Sequence, residues 1–282
     1  MKISPMAAAP NGKPIVPPDI RPDVLRPSML DVLGELRVPL EATMLWLNAL
    51  TYSWPHAVPG HGKTVMFIPG FMAGDISLAP LANFCRFLGH RSVMSGIWSN
   101  SSCPREVLEL VGARIERVAE RHGGPVVVIG HSLGGIYARE IGRRYPELVE
   151  RVITMGSPIR RPRDAANRAV QAVASSIAAW RGRAEGCLSE NCSCGLSISD
   201  KAPTLVPTTV IYSRTDGIVH WDSCIDRNAS PMVENVEVHC SHVGMAVSAD
   251  VYKIIAARLL LPESKEHERS RLHLHPGAEA TL

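Results

Sequence analysis

Residues 125–135 read PVVVIGHSLGG, and the reading of this stretch decides the fold. Four consecutive aliphatic residues between a proline and a glycine suit a short strand of a parallel sheet, covered on both faces. Directly after it comes LGGIYAREIGRRY, whose apolar residues recur at helical spacing. Gly130-His131-Ser132-Leu133-Gly134 thus stands on a strand–turn–helix, the setting in which a strained turn lifts a serine hydroxyl above the sheet. Glycines at 130, 134 and 135 omit side chains that would collide across that turn. The helix start points its free N–H groups at the same place.

Working outward, the same alternation recurs. Strands are expected at 64–69 (TVMFIP), 91–98, 152–155, 208–213 (TTVIYS) and 233–239. Helices are expected at 76–89, 104–122, 133–145 and 249–261, the third of these following the serine turn and the last stopped by Pro262. Strands alternating with helices make βαβ units, so the fold class is α/β, with a central, mostly parallel sheet flanked by helices. The alternation breaks between Pro158 and Pro207, where a helical stretch (about 163–182) is followed by the loop-like GCLSENCSCGLSISDKAP. We read 158–206 as a small cap insertion over the carboxyl edge of the sheet, where ligand sites lie in such folds. Residues 1–27 are proline-rich and 263–282 are charged without apolar periodicity. Both are expected to be disordered, leaving 28–262 as one domain.

Composition narrows the function classes. The chain has 282 residues, 45% hydrophobic and 20% charged, with a formal net charge of +3. That charge is too small, and its basic residues too scattered, to argue for nucleic acid. The N-terminus lacks the apolar run of a signal peptide, so the cytoplasm is the expected compartment. The most apolar long stretch, 29–50, carries Asp31, Glu35, Arg37, Pro39 and Glu41, which exclude a transmembrane segment. Its Leu33, Leu36, Leu40, Met44, Leu47 and Leu50 predict an amphipathic helix, bent or restarted at Pro39. Packing on the domain is the plain reading of that helix, and contact with a lipid-like substrate or a membrane surface the sharper one.

A serine is a weak nucleophile until a base takes its proton, and the base needs an acid to orient it. On this kind of turn the partners follow in the order serine, acid, histidine. The loop after the 208–213 strand offers Asp216 as the acid, with Asp222 and Asp226 as rivals farther from the strand end. The loop after the 233–239 strand offers His242 as the base, with His239 as a structural competitor at the strand end. His131, beside the serine, reads as a packing or hydrogen-bonding residue, and His220 could line the site. A developing oxyanion needs donors. The N–H of Leu133, just after the serine, is one candidate. The N–H of Phe71, in the Pro69-Gly70-Phe71 loop, is the other, although Phe71 also suits a core aromatic.

These motifs resemble the α/β-hydrolase family of the bacterial esterase/lipase type. FIPGF-x-A-x-D, GHSLGG, ITMGSP, IYSRTDGIV-x-W and SH-x-G stand in order across roughly residues 30–261. The resemblance implies the α/β-hydrolase fold, a cap of variable size, no cofactor, and no metal. It implies a serine hydrolase acting on a small-molecule or lipid-like ester through an acyl-enzyme, with Ser132, Asp216 and His242 as the triad. An acyltransferase or amidase would use the same triad, and a non-catalytic binding module would keep the fold without the chemistry. The oxyanion loop departs from the His-Gly of many lipases and so lacks that histidine's hydrogen bond.

Seven cysteines are too few for a disulfide scaffold. Cys187, Cys192 and Cys194 lack an evident fourth partner for zinc. Cys224 and Cys240 flank the acid and base loops, and a disulfide between them would pin those loops together. Such a bond would fit an oxidising compartment and conflict with the missing signal peptide.

Overall fold

The computed structural model describes residues 26–49, 62–160, 165–180, 203–228 and 230–262. The amphipathic N-terminal stretch forms α1 (Met29–Gly34), a 3-10 turn (Glu35–Arg37) and α2 (Val38–Ala49). The helix is interrupted as expected, one turn ahead of Pro39, because the proline is accommodated in the first turn of α2, where its missing N–H costs nothing. Ser28 and Asp31 close a capping box at the start of α1: the Ser28 hydroxyl accepts from the Asp31 N–H at 3.2 Å, and the Asp31 carboxylate accepts from the Ser28 N–H at 3.0 Å.

Six strands among the described residues follow: β1 (Thr64–Ile68), β2 (Arg91–Met94), β3 (Val126–His131), β4 (Val149–Met155), β5 (Thr208–Ser213) and β6 (Val233–Val238). They form one sheet in the order β2-β1-β3-β4-β5-β6, and every neighbouring pair is parallel. β1, β3 and β4 are buried along their whole length, which explains why β1 and β3 read as runs of apolar residues rather than alternating ones. β2 ends earlier than expected. The Asp75 carboxylate accepts from the Ser95 hydroxyl at 2.6 Å and the Gly96 N–H at 2.7 Å, and Gly96 turns away with φ 89°.

Between the strands run α3 (Ala79–Phe87), α4 (Pro104–His122), α5 (Leu133–Arg144), α6 (Arg168–Trp180) and the four-residue α7 (Trp221–Cys224), and α8 (Ala249–Leu259) follows β6. α4 has the predicted bounds: Pro104 sits in its first turn, and Gly123 closes it in the left-handed conformation at φ 69°. Alternation along the strands divides the core. Val65, Phe67, Val127, Ile129 and Ile153 pack with Leu81 and Phe84 of α3 and Val251, Tyr252 and Ile255 of α8. Met66, Ile68, Val126, Val128 and Val152 pack with Val107, Val111 and Ile115 of α4 and Tyr137 and Ile141 of α5. A register shift opposite Val126/Val127 makes Glu150 the extra residue of β4, and its buried carboxylate is taken up by Lys63.

No helix among the described residues is long and apolar enough to cross a membrane. The proline-rich arm, the charged tail, most of the expected cap loop, and Cys187, Cys192 and Cys194 lie outside the described residues. Of the insertion, α6 is described, and its root sits on the loop after β5. The Asn167 N–H donates to the Ile218 carbonyl at 2.8 Å and its Nδ2 to the Gly217 carbonyl at 3.0 Å.

Candidate active site

Ser132 is the residue between β3 and α5, and it adopts φ 53° and ψ −122°, a conformation that a side chain other than glycine rarely takes. The strain is held by what surrounds it. The Ser132 N–H donates to the Met155 carbonyl at 2.8 Å, fixing the turn to the end of β4. A Cβ on Gly134 would overlap the Ile68 carbonyl, so α5 starts against the end of β1 only because no side chain is there. Strain over-determined in this way is typical of functional turns.

The loops after β5 and β6 bring Asp216 and His242 together. The Nδ1–H of His242 donates to Asp216 Oδ2 at 2.6 Å. Asp216 Oδ1 accepts from the Ile218 and Val219 N–H groups at 2.9 and 2.7 Å, so both oxygens are fixed. With Nδ1 engaged, Nε2 of His242 is left as the proton acceptor. Burial opposes charge on this imidazole. The Asp216 carboxylate, the hydrogen bond to it and the Glu35 carboxylate outweigh burial, and hold its pKa above the ordinary 6.5.

His131 adjoins Ser132 in the chain and packs against His242. Its ring lies 4.9 Å from that of His242, and its Nε2–H donates to the His242 carbonyl at 2.9 Å. Burial, helped by the neighbouring His242, pushes its pKa down to about 3. His131 is therefore a neutral donor that ties the base loop to the serine turn, in agreement with its expected hydrogen-bonding role.

The rival acids are engaged elsewhere. Asp222 pairs with Arg160 at 3.2 Å and Arg227 at 2.7 Å, and Asp226 pairs with Arg139 at 3.2 Å. His239 lies beyond the end of β6 and is exposed. His220 caps α7, its ring accepting from the Asp222 N–H at 3.4 Å.

The Phe71 and Leu133 N–H groups donate to no acceptor among the described residues. Leu133 opens α5, so its N–H has no carbonyl a turn earlier. Phe71 lies in the loop after β1, where Gly70 approaches Ser132: a Cβ on Gly70 would stand 3.1 Å from the Ser132 Cβ. Asn100 braces this loop. Its Nδ2 donates to the Pro69 carbonyl at 2.7 Å, its carbonyl accepts from Met72 N–H at 3.0 Å, and its N–H donates to the Ala73 carbonyl at 2.9 Å. This buried asparagine ties the loop to the end of β1, and no local pattern in the sequence marks it.

The Cys224–Cys240 disulfide is not formed. Both are free buried thiols. Cys224 packs with Ala165 and Val219, and Cys240 with Val238 and Met245, in separate apolar clusters. Burial pushes the Cys240 thiol up to about 12 and the Cys224 thiol well above its ordinary value. The two loops are joined instead by hydroxyls: Ser213 Oγ and Thr215 Oγ1 donate to the Cys240 carbonyl at 2.7 and 3.2 Å.

A second link between the loops comes from outside the sheet. Glu35 and Glu41 reach in from the N-terminal helices and accept from backbone N–H groups of Gly217, Ser241, His242 and Val243. In the sequence these two carboxylates mark only that 29–50 is too polar to span a membrane.

A model described as the alpha/beta hydrolase family matches residues 41–231. Among solved structures, the chain is similar to mature lipase BlEst2 of Bacillus licheniformis, at a TM-score of 0.54 and 14% identity, covering 72% of this chain and 94% of that one. It is also similar to lipase B of Aspergillus fumigatus, at 0.55 and 18%, covering 76% of this chain and 57% of that one. A third is MGS-MChE2, an alpha/beta hydrolase enzyme from the sediment metagenome of the Mar Chica lagoon in Morocco, at 0.51 and 16%, covering 71% of this chain and 91% of that one. At these identities the likeness is one of fold. No curated protein sequence matches significantly.

Proposed function

The chain belongs to the alpha/beta hydrolase family, and on that premise we propose that it is a serine hydrolase cleaving carboxylic esters through an acyl-enzyme. The observation that carries this reading is the 2.6 Å bond between buried Asp216 and His242, in loops beside a serine held at positive φ. His242 Nε2 takes the Ser132 hydroxyl proton as Oγ bonds to the ester carbonyl carbon. The carbonyl oxygen becomes an oxyanion that accepts from the Phe71 and Leu133 N–H groups. Collapse breaks the bond to the alcohol oxygen, which leaves with the proton from His242. Water then repeats the sequence on the acyl-enzyme, and the acid departs. Asp216 keeps Nδ1 protonated and offsets the charge of the imidazolium.

Apolar, sparingly soluble esters are the substrate class we favour within this reading. Leu33, Leu36, Leu40 and Met44 are exposed on the helices beside the loops of Asp216 and His242, a surface suited to acyl chains or a lipid–water boundary. Rates over a series of p-nitrophenyl esters test both parts. Ser132→Ala turning over as fast as the parent sinks the mechanism, and a fall in rate with growing chain length sinks the preference.

A further inference from the structure

The N-terminal segment presents carboxylates, rather than its leucines, to the loops of Asp216 and His242. An amphipathic helix on a domain normally turns its apolar face inward. Here α1 buries no residue at all, and Leu33, Leu36 and Leu40 are exposed. Leu45 of α2 packs on the apolar core, but what the segment turns toward the loops of Asp216 and His242 is carboxylate. Glu35 Oε1 accepts from the Gly217 N–H at 2.9 Å and from the His242 N–H at 2.8 Å, and its Oε2 accepts from the Val243 N–H at 3.2 Å. A single carboxylate therefore grips the backbone directly after Asp216 and the backbone of His242 itself. Glu41 grips the neighbouring residue, accepting from the Ser241 N–H at 2.8 Å and from its hydroxyl. The approach is close: a Cβ on Gly217 would overlap the Asp31 carbonyl, and one on Gly244 would overlap the Glu41 carboxylate.

We propose that Glu35 is a positioning residue of this active site, a carboxylate clamp that holds the loop of the acid to the loop of the base. The inference rests on the assignment of Ser132, Asp216 and His242 above. N–H bonds to a carboxylate are charge-assisted and short, so the clamp fixes both loops with little freedom left to lose when the substrate arrives. It does what a disulfide between the two loops would do, without a covalent bond. The clamp also places a second negative charge near the base. Among the described residues, the charged and titratable groups that act on the His242 imidazole are then Asp216 from the β5 loop, neutral His131 from the serine turn, and Glu35 from the N-terminal segment, with Glu41 one residue away on Ser241. Arg37 lies at the rim, donating to Thr215 Oγ1 at 3.2 Å.

The test compares the full-length parent with Glu35→Ala and Glu35→Gln, measuring the pH profile of kcat/KM on p-nitrophenyl butyrate, with fluorophosphonate labelling of Ser132 as the reference. Glu35→Ala is expected to lose about 10–100-fold in kcat/KM, chiefly in kcat. Glu35→Gln keeps the shape and one acceptor, so it should retain more of the rate, while its acid limb moves to lower pH as the charge is removed. Parent-like rate and acid limb in Glu35→Ala overturn the proposal. So does an unmoved acid limb in Glu35→Gln, which decides alone where the alanine variant fails to fold. A parent that hydrolyses the ester but is not labelled at Ser132 instead brings down the site assignment, and the clamp with it.

Discussion

Asp216, Asp222 and Asp226 share one stretch of chain, yet the structure gives them different employment. Asp216 accepts from His242 and two loop N–H groups, while Asp226 pairs with buried Arg139 and Asp222 with the half-buried Arg160 and Arg227. The variants should separate accordingly. Asp216→Asn should lower kcat by about 10⁴-fold with the fold intact, since the imidazole loses its tautomer and its counter-charge. Asp226→Ala removes the carboxylate facing buried Arg139 and should cost about 3–5 kcal/mol in denaturant unfolding, with kcat kept in the folded fraction. The base carries a pH signature as well. In the proposed mechanism His242 works as the neutral imidazole, and its pKa is raised above 6.5. Activity should therefore fall as pH drops through a value above 6.5, as a one-proton limb, because His131 stays neutral down to about 3. A limb centred below 6.5 contradicts the arrangement. These candidates could be read from the sequence because each sits within a few residues of a strand end, and parallel strands deliver their loops to one edge. The choice of Asp216 over its rivals followed from that distance, and the arginine partners of the other two supply the physical reason for it.

Elements whose limits are set locally could be read closely. α4 carries its proline and its glycine stop, and β3 its unbroken aliphatic run. Elements limited by distant groups could not. β2 is cut short by Asp75, which stands on the preceding connection. The N-terminal helices show the limit most clearly. Their periodicity was plain, but periodicity reports only that one face differs from the other. Which face turns inward is decided by N–H groups about 200 positions away, as in the bond from Ser241 to Glu41. Gly217→Ala tests this docking at the level of the element. Its Cβ would meet the Asp31 backbone, which has no rotamer by which to yield. The variant should cost about 1–3 kcal/mol through overpacking and lower kcat/KM as the helices lift from the loops. Unchanged stability and activity would show that the close approach is dispensable.

At the scale of the whole molecule, the two-faced sheet and its six parallel strands explain both the stability and the position of the site. Residues alternate between the two apolar clusters along β1 and β3, and the loops that leave β3, β5 and β6 meet at one edge. The core also shields its thiols. Burial holds Cys85 and Cys240 at about 12 and Cys224 well above its ordinary value. Iodoacetamide at mildly alkaline pH should leave all three unmodified in the native protein, and modify all three in denaturant without reductant. A Cys224 peptide recovered linked to a Cys240 peptide would contradict the free-thiol structure. The disulfide was a reasonable expectation from loop convergence alone. It fails because convergence of loops says nothing of where two side chains point, and these enter separate clusters. The central claim is that Ser132 forms a covalent acyl intermediate, and the most direct measurement is rapid-quench trapping on a p-nitrophenyl ester followed by peptide mass spectrometry. A burst of one p-nitrophenol per active site is expected, with the acyl mass on the peptide containing Ser132. Steady turnover in the parent with no acyl group on Ser132, matched by an equal rate in Ser132→Ala, would contradict it.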